Sequence, residues 1–268
     1  MYDSSPYNLW NANKKAGIIL LLLLLSLLPS SFAGAAEHPK SRLLLVTGRV
    51  EWKPYLEYNY EKREASGILY DILEYAVQEH GYEISFNPFP WKRAVLLFEE
   101  NQLDIICGVI WNRRRSVEYN LSSPILTNEL RIFVTKPFPM KSLDDLSGKN
   151  GDGVRGASYG DRFDAFLVSG KTNFTRLATD ANILDRLRKG YSDYFIASKM
   201  DALNRIRERG LEGEIVPLPY VVDDVKIHIA FSHAPEKQQL FEKIKNTLDQ
   251  MKANGTVQHI CDTHLQSN

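Results

Sequence analysis

Three consecutive arginines, Arg113, Arg114 and Arg115, follow an apolar run from Leu103 to Ile110 that only Asp104 and Gly108 interrupt. A guanidinium presents a planar fork of donors that matches a carboxylate in charge and in geometry. The apolar run reads as a buried parallel strand. Open α/β sheets bind ligands in the crevice outside the carboxyl ends of their strands. An arginine at that place points into the crevice as an anion receptor, and the other two read as a solvated turn. A second anion-directed segment is Gly156 to Gly160, which precedes a helix expected from Asp161. Its backbone N–H groups and the Ser158 hydroxyl would face an anionic group at the helix N-terminus. The same segment reads equally well as an N-cap and tight turn with no ligand. Trp52, Tyr55 and Trp91 could wall an apolar or cationic part of a ligand, or be ordinary packing. Arg93 is either a second cation in the crevice or a solvated helix start.

The elements that must position these residues follow from periodicity. Leu43–Thr47 is an apolar, β-rich run. Leu69, Ile72, Leu73, Ala76 and Val77 recur at helical spacing before Gly81. Tyr82–Phe86 alternates as a strand does, and Trp91–Glu100 reads as a helix burying Ala94, Val95, Leu97 and Phe98. With 103–110 this makes β-α-β-α-β, which predicts a parallel sheet with right-handed crossovers. Residues 51–60 read as a loop. A strand at 130–135 leads into Lys136-Pro137-Phe138-Pro139, a stiff passage expected to cross between domains. A helical turn at 143–146, a strand at 150–155, helices at 161–168 and 183–187, a strand at 194–197 and a helix at 200–209 predict a second small α/β unit. A strand at 227–231 follows, and 235–260 is an amphipathic helix broken at Gly255, with Leu240, Ile244, Leu248 and Met251 on one face.

Composition narrows the function. Lys+Arg and Asp+Glu number 33 each in 268 residues, so no net field draws the chain to nucleic acid or anionic lipid. Lys14 and Lys15 precede an apolar run of 13 residues, Ala16–Leu28, too short to span a bilayer. Ala33-Gly34-Ala35 reads as a cleavage site, so residues 1–36 are expected to be a signal peptide. The two cysteines, Cys107 and Cys261, are permitted a disulfide after export, with a buried free Cys107 thiol favoured. Gly151-x-Gly153-x-x-Gly156 matches a dinucleotide fingerprint by letter, but the polar segment before it lacks the strand that motif needs. His259, Cys261 and His264 lack the spacing that puts two ligands on one helical face. No metal site and no cofactor is expected.

The order of segments resembles the type II periplasmic solute-binding proteins of ABC importers, the amino-acid-binding family 3 cluster. The resemblance covers nearly the whole chain after the leader. It rests on Gly67-Ile68-Leu69-Tyr70-Asp71-Ile72, Pro90-Trp91-Lys92-Arg93-Ala94, Leu103-Asp104-Ile105-Ile106 with Gly108, and Arg115 with Ser122-Ser123-Pro124. Leu146-Ser147-Gly148-Lys149, Gly156-Ala157-Ser158-Tyr159-Gly160, His228-Ile229-Ala230-Phe231-Ser232 and Gly255-Thr256-Val257 follow in order. It implies a two-lobed α/β, periplasmic-binding-protein-like type II fold, each lobe a small sheet flanked by helices, with the ligand cleft between lobes. Lobe 1 would be 41–134 plus 226–268, and lobe 2 would be 137–222. It implies that Arg115 is the arginine for a ligand carboxylate, that Tyr55 stacks on the ligand, and that Ser158 and Tyr159 open the second lobe. Two positions depart from the family pattern. Asn112 stands where a hydroxyl residue is usual, and Ser198 where amino-acid binders carry the acid for the ligand ammonium. Both favour a solute with a carboxylate or other anionic group and without a strict ammonium requirement.

The expected function is therefore capture of a small polar solute in the periplasm by a monomer, for the membrane permease of an ABC importer. A membrane sensor is the alternative partner, and no nucleic acid is expected. A non-enzyme is expected. The competing reading is an enzyme on the same fold, resembling cyclohexadienyl dehydratase, which would need a general acid in the cleft.

Overall fold

A computed structural model describes residues 42–178 and 182–266. The expected signal peptide lies outside the described residues. Among the described residues no helix is long and apolar enough to cross a membrane.

The chain opens with β1 (Leu43–Gly48), then β2 (Glu51–Trp52), β3 (Leu56–Asn59) and β4 (Glu64–Ser66), which pair with one another as a small antiparallel sheet. It continues through α1 (Ile68–Gln78), β5 (Glu83–Phe86), α2 (Trp91–Glu99), β6 (Ile105–Ile110), α3 (Arg113–Glu118), β7 (Asn120–Leu121) and β8 (Leu126–Val134). A 3₁₀ turn at Leu143–Leu146 leads to β9 (Asn150–Val154), α4 (Gly160–Val168), β10 (Asn173–Leu177), α5 (Ile183–Arg188), β11 (Tyr194–Ser198) and α6 (Lys199–Glu208). The last elements are β12 (Val216–Phe231), a 3₁₀ turn at Pro235–Lys237, α7 (Gln238–Ala253) and α8 (Thr256–Gln266).

The strand order in the large sheet is β10-β9-β11-β8-β12-β6-β1-β5, with β7 beside β12. β5, β1 and β6 run parallel, as the β-α-β-α-β pattern predicts. β10, β9 and β11 are likewise parallel. Between the two parallel halves, β8 and β12 pair antiparallel. Each half carries its own core. Ile72, Leu73, Ala76 and Val77 of α1 pack with Phe241, Ile244 and Leu248 of α7 over β1 and β6. On the other side, Tyr159, Phe163 and Tyr194 pack with Leu130, Ile132 and Val134 of β8 and Leu218 and Val222 of β12. This is a two-lobed α/β fold in which β8 and β12 serve both lobes.

Three features differ from the sequence reading. Residues 51–60 are not a loop: Trp52 pairs with Leu56 across β2 and β3, and both are buried. Pro54 hides this hairpin from a periodicity reading, because each strand is too short to show alternation. β12 is 16 residues long, against the five expected. Leu218, Val222 and Val225 pack in the second core and Ile227 and Ile229 in the first, so the strand changes cores midway, and the register shifts at 217/221 and 221/223 break the period of two. Lastly, Leu130–Val134 already packs in the second core, so the stiff passage 136–139 follows the crossing instead of making it.

Candidate ligand cleft

The candidate residues gather where strands end. β1 ends at Gly48 and β6 at Ile110, both at carboxyl ends of parallel strands. Arg49, Trp52, Gly108, Ile110 and Arg115 meet Trp91 there, and Ala157 and Ser158 face them from the second lobe. They surround a space of about 20 Å³, room for about one water. A wider mouth of about 100 Å³ adjoins it, sharing Arg49 and Trp91 and adding Glu51 and Tyr60.

Arg115 is the centre of this arrangement. It sits in the short α3, and Asn112 caps that helix, its Oδ1 accepting from the Arg115 N–H at 2.8 Å. The side chain is only 3 % exposed. Nη1 donates to the Ile110 carbonyl at 2.9 Å, and Nη2 reaches the Gly156 carbonyl at 3.5 Å. The guanidinium lies 5.9 Å over the Trp91 ring. Its buried Nε finds no hydrogen-bond partner among the described residues. No carboxylate among them forms an ion pair with it. A guanidinium out of water without a counter-charge is costly. Burial accordingly pushes its pKa down, while Tyr119 and Asp164 pull it back up. The buried indole Nε1 of Trp52 is a second donor with no partner among the described residues.

The other expected residues divide into groups. Trp91, the first residue of α2, is buried and donates from Nε1 to the Gly156 carbonyl at 3.1 Å. Asn112 Nδ2 donates to Ser158 Oγ at 3.0 Å, so the cap residue also ties the two lobes. Ser158 Oγ in turn bonds the Asp164 carboxylate and accepts from the Gly160 N–H at 3.3 Å. These three join Arg115 around Gly156. Tyr55 and Ser198 are brought together elsewhere. Both hydroxyls donate to Oδ1 of Asn128 in β8, at 3.3 Å and 2.7 Å. Tyr55 is 4 % exposed and part of the first core, and burial pushes its phenol up to about 12. It therefore packs at the crossing strands and does not line the Arg115 space. Tyr159 lies in the second core against Phe163 and Phe174, its hydroxyl accepting from the Val154 N–H at 2.7 Å. Arg93 is exposed on α2 and lines neither space.

Arg49, Gly108 and Asn128 were not among the expected residues. Arg49 had a usable signal: it follows the carboxyl end of the first parallel strand, where such sheets bind ligands. It stacks 5.7 Å from the Trp52 ring and approaches Asp201 of α6 at 3.9 Å. Asp201 is fully buried and also bonds Arg205 at 2.6 Å. Burial pushes its carboxyl up, and Arg205 and Arg49 oppose that shift. Asp201 thus already has cations, one of them from the first lobe. Both cysteines are free, and Cys107 is buried in β6 with its thiol pushed well up by burial. Gly151 and Gly153 lie inside β9, not in a turn after a strand. A Cβ at Gly151 would stand 2.3 Å from the Tyr194 ring, and one at Gly153 would stand 2.5 Å from the Tyr159 hydroxyl. These glycines make room for aromatic rings, not for a dinucleotide. Among the described residues no cluster of His, Cys, Asp and Glu could hold a metal ion.

Residues 44–267 match the family model of bacterial extracellular solute-binding proteins, family 3. The chain belongs to that family. Solved structures show the same fold. An ancestral arginine-binding protein bound to arginine superposes with a TM-score of 0.71 at 19% identity, over 82% of this chain and 97% of that one. The GluR0 ligand-binding core from Nostoc punctiforme in complex with glutamate gives 0.68 at 19% identity, over 82% and 98%. A histidine kinase sensor domain similar to periplasmic binding proteins gives 0.71 at 19% identity, over 84% and 96%. Among curated proteins no sequence matches the chain significantly.

Proposed function

We propose that this family 3 protein captures a small, carboxylate-bearing solute between its lobes and delivers it, as a monomer, to the permease of an ABC-type importer. The observation that carries this reading is Arg115: a buried guanidinium with an unpartnered Nε and no ion-pairing carboxylate among the described residues. A ligand carboxylate supplies the missing charge and acceptor. The unpartnered Trp52 Nε1 offers a further donor to the same ligand, and the Trp91 and Trp52 rings offer apolar faces. Ser198 bonds Asn128, and Asp201 bonds arginines. Neither is thereby aimed at a ligand ammonium, so the carboxylate dominates recognition. Asn112, Trp91 and Ser158 hold the lobes together over it, while Tyr55, Tyr159 and Ser198 support the fold around it. The lobes divide as 41–134 with 226–268 and 137–222, except that Leu130–Val134 of the shared strand β8 packs in the second core. Residues 1–36 direct export to the periplasm. The family's description as extracellular and the apolar run of the leader support this localisation.

The Arg115 space is lined by N–H donors, ring faces, aliphatic groups and the Ser158 hydroxyl, and Glu51 lines the adjoining mouth as the acid an enzyme there would use. Turnover of prephenate would instead decide for an enzyme. The test is calorimetry with a carboxylate and amino-acid panel. Arg115→Ala should weaken the selected solute by about 30-fold or more, or about 2 kcal/mol. Unchanged affinity in that variant would remove Arg115 from the site.

A further inference from the structure

The space at Arg115 has a second guanidinium on its wall. Arg49 follows the carboxyl end of β1, Arg115 follows that of β6, and both line the same space of about 20 Å³. A space with room for about one water keeps the residues around it close together.

Each guanidinium lies over an indole. Arg115 stands 5.9 Å from the centre of the Trp91 ring, and Arg49 stands 5.7 Å from that of Trp52. Both indoles line the space as well. Each pair also holds a buried N–H donor that finds no partner among the described residues: Nε of Arg115 in one, Nε1 of Trp52 in the other. A buried donor without an acceptor is costly, and a carboxylate oxygen is the acceptor that also offsets a guanidinium charge. One such pair is satisfied by one carboxylate. Two such pairs around one space are satisfied by two.

The carboxylates nearest these arginines are committed elsewhere or exposed. Asp201 reaches Arg49 at 3.9 Å but bonds Arg205 at 2.6 Å. Asp164 bonds the Ser158 hydroxyl and accepts from the Tyr159 N–H at 3.0 Å. Glu51 is exposed at the mouth. Burial pushes the pKa of Arg49 down, Asp201 opposes that, and Arg205 adds to it. Arg49 therefore shares its one buried counter-charge with a closer cation. A solute with a single carboxylate would satisfy Arg115 and leave the Arg49–Trp52 pair as it stands. A solute ammonium would be repelled by two guanidinia on one wall.

We propose that the solute is a short dicarboxylate, one carboxylate held at Arg115 and the other at Arg49 with the Trp52 N–H. The inference rests on the carboxylate reading of the Arg115 cleft. It adds a second anionic group and a limit on length, since both poles border one small space.

The test is calorimetry of the protein with oxalate, malonate and succinate at constant ionic strength. Each is compared with its half-amide (oxamate, malonamate and succinamate), which has the same shape and a single charge, and with inorganic phosphate. At least one diacid should bind about tenfold or more tighter than its half-amide and than phosphate. In Arg49→Gln the ratio of diacid to half-amide affinity should fall to within about threefold. Four results would each overturn the proposal: no diacid binds although a monocarboxylate does, every diacid binds no better than its half-amide, phosphate binds as tightly as the best diacid, or the ratio persists in Arg49→Gln. The wild-type ratio decides even where the variant does not fold. The first result leaves the carboxylate reading of the cleft standing, whereas failure of every carboxylate and amino acid to bind overturns that reading together with this one.

Discussion

Arg115 and His228 illustrate how a fold can bury a polar group that it does not satisfy. Arg115 sits in the short helix that follows β6, and His228 sits on β12 where its register shifts, its buried Nε2 without a partner among the described residues. Burial acts on them in the same direction, disfavouring the charged form. For His228 this has a consequence for stability. Burial lowers its pKa, the Ser122 carbonyl opposes that, and Lys226 and Lys252 add to it. His228 also lines a surface recess with Asp161, Asp223 and Asp224. The folded protein thus holds His228 neutral at a pH where the unfolded chain, with a pKa near 6.5, begins to take up a proton. The unfolded state then binds more protons, so stability falls as pH drops through about 6.5. Urea midpoints of wild type and His228→Gln, measured from pH 7.5 to 5.5, should converge on acidification. A gap between them that does not change with pH would show that His228 does not titrate in this way.

At the scale of elements, the strands are set as much by what they exclude as by what they bury. β9 has the sequence Asn150-Gly151-Asp152-Gly153-Val154, which by propensity should not be a strand. It is one because Tyr194 and Phe174 on the neighbouring strands lay their rings where its side chains would stand. Gly153→Ala should therefore cost about 1–3 kcal/mol by overpacking against Tyr159 and Phe174. Urea denaturation would measure it, and a neutral substitution would mean that the rings move aside freely. The helices were the legible elements. α1, α2 and α7 bury residues at three- and four-residue spacings, and each appears within a few residues of where the pattern puts it. The hairpin of β2 to β4 and the first half of β12 were not legible. Their strands are too short or change cores midway, so no fixed period survives.

At the scale of the molecule, the two lobes meet through a small set of polar contacts. Trp91 and Arg115 reach Gly156, Asn112 reaches Ser158, Arg49 reaches Asp201, and Lys53 reaches Glu208 at 3.0 Å. The space they leave at Arg115, about 20 Å³, is far smaller than the few hundred Å³ of an ordinary ligand site. A solute can therefore enter only if the lobes part. β8 and β12, the two strands that join the cores, are the segments expected to flex. In solution the free protein should sample open forms, and saturating solute should lower the radius of gyration seen by small-angle scattering. A radius that stays the same or grows would argue against closure by hinge motion.

The sequence by itself determined the family, the α/β class and most helices, because these depend on local periodicity and on short motifs in a fixed order. It also placed Arg115, Asn112, Trp91 and Ser158 among the candidates, since each belongs to a strand end or a helix start that local pattern locates. The tertiary structure decided which candidates share one space. It joined those four at Gly156, sent Tyr55 and Ser198 to Asn128, sank Tyr159 into a core and left Arg93 in solvent. It also left the Nε2 of His228 buried without a partner among the described residues, at a position whose local pattern suggests nothing of the kind. Which side chains meet depends on contacts between segments far apart in the chain. Whether a buried donor or acceptor finds a partner is a property of those contacts, and no window of sequence contains them.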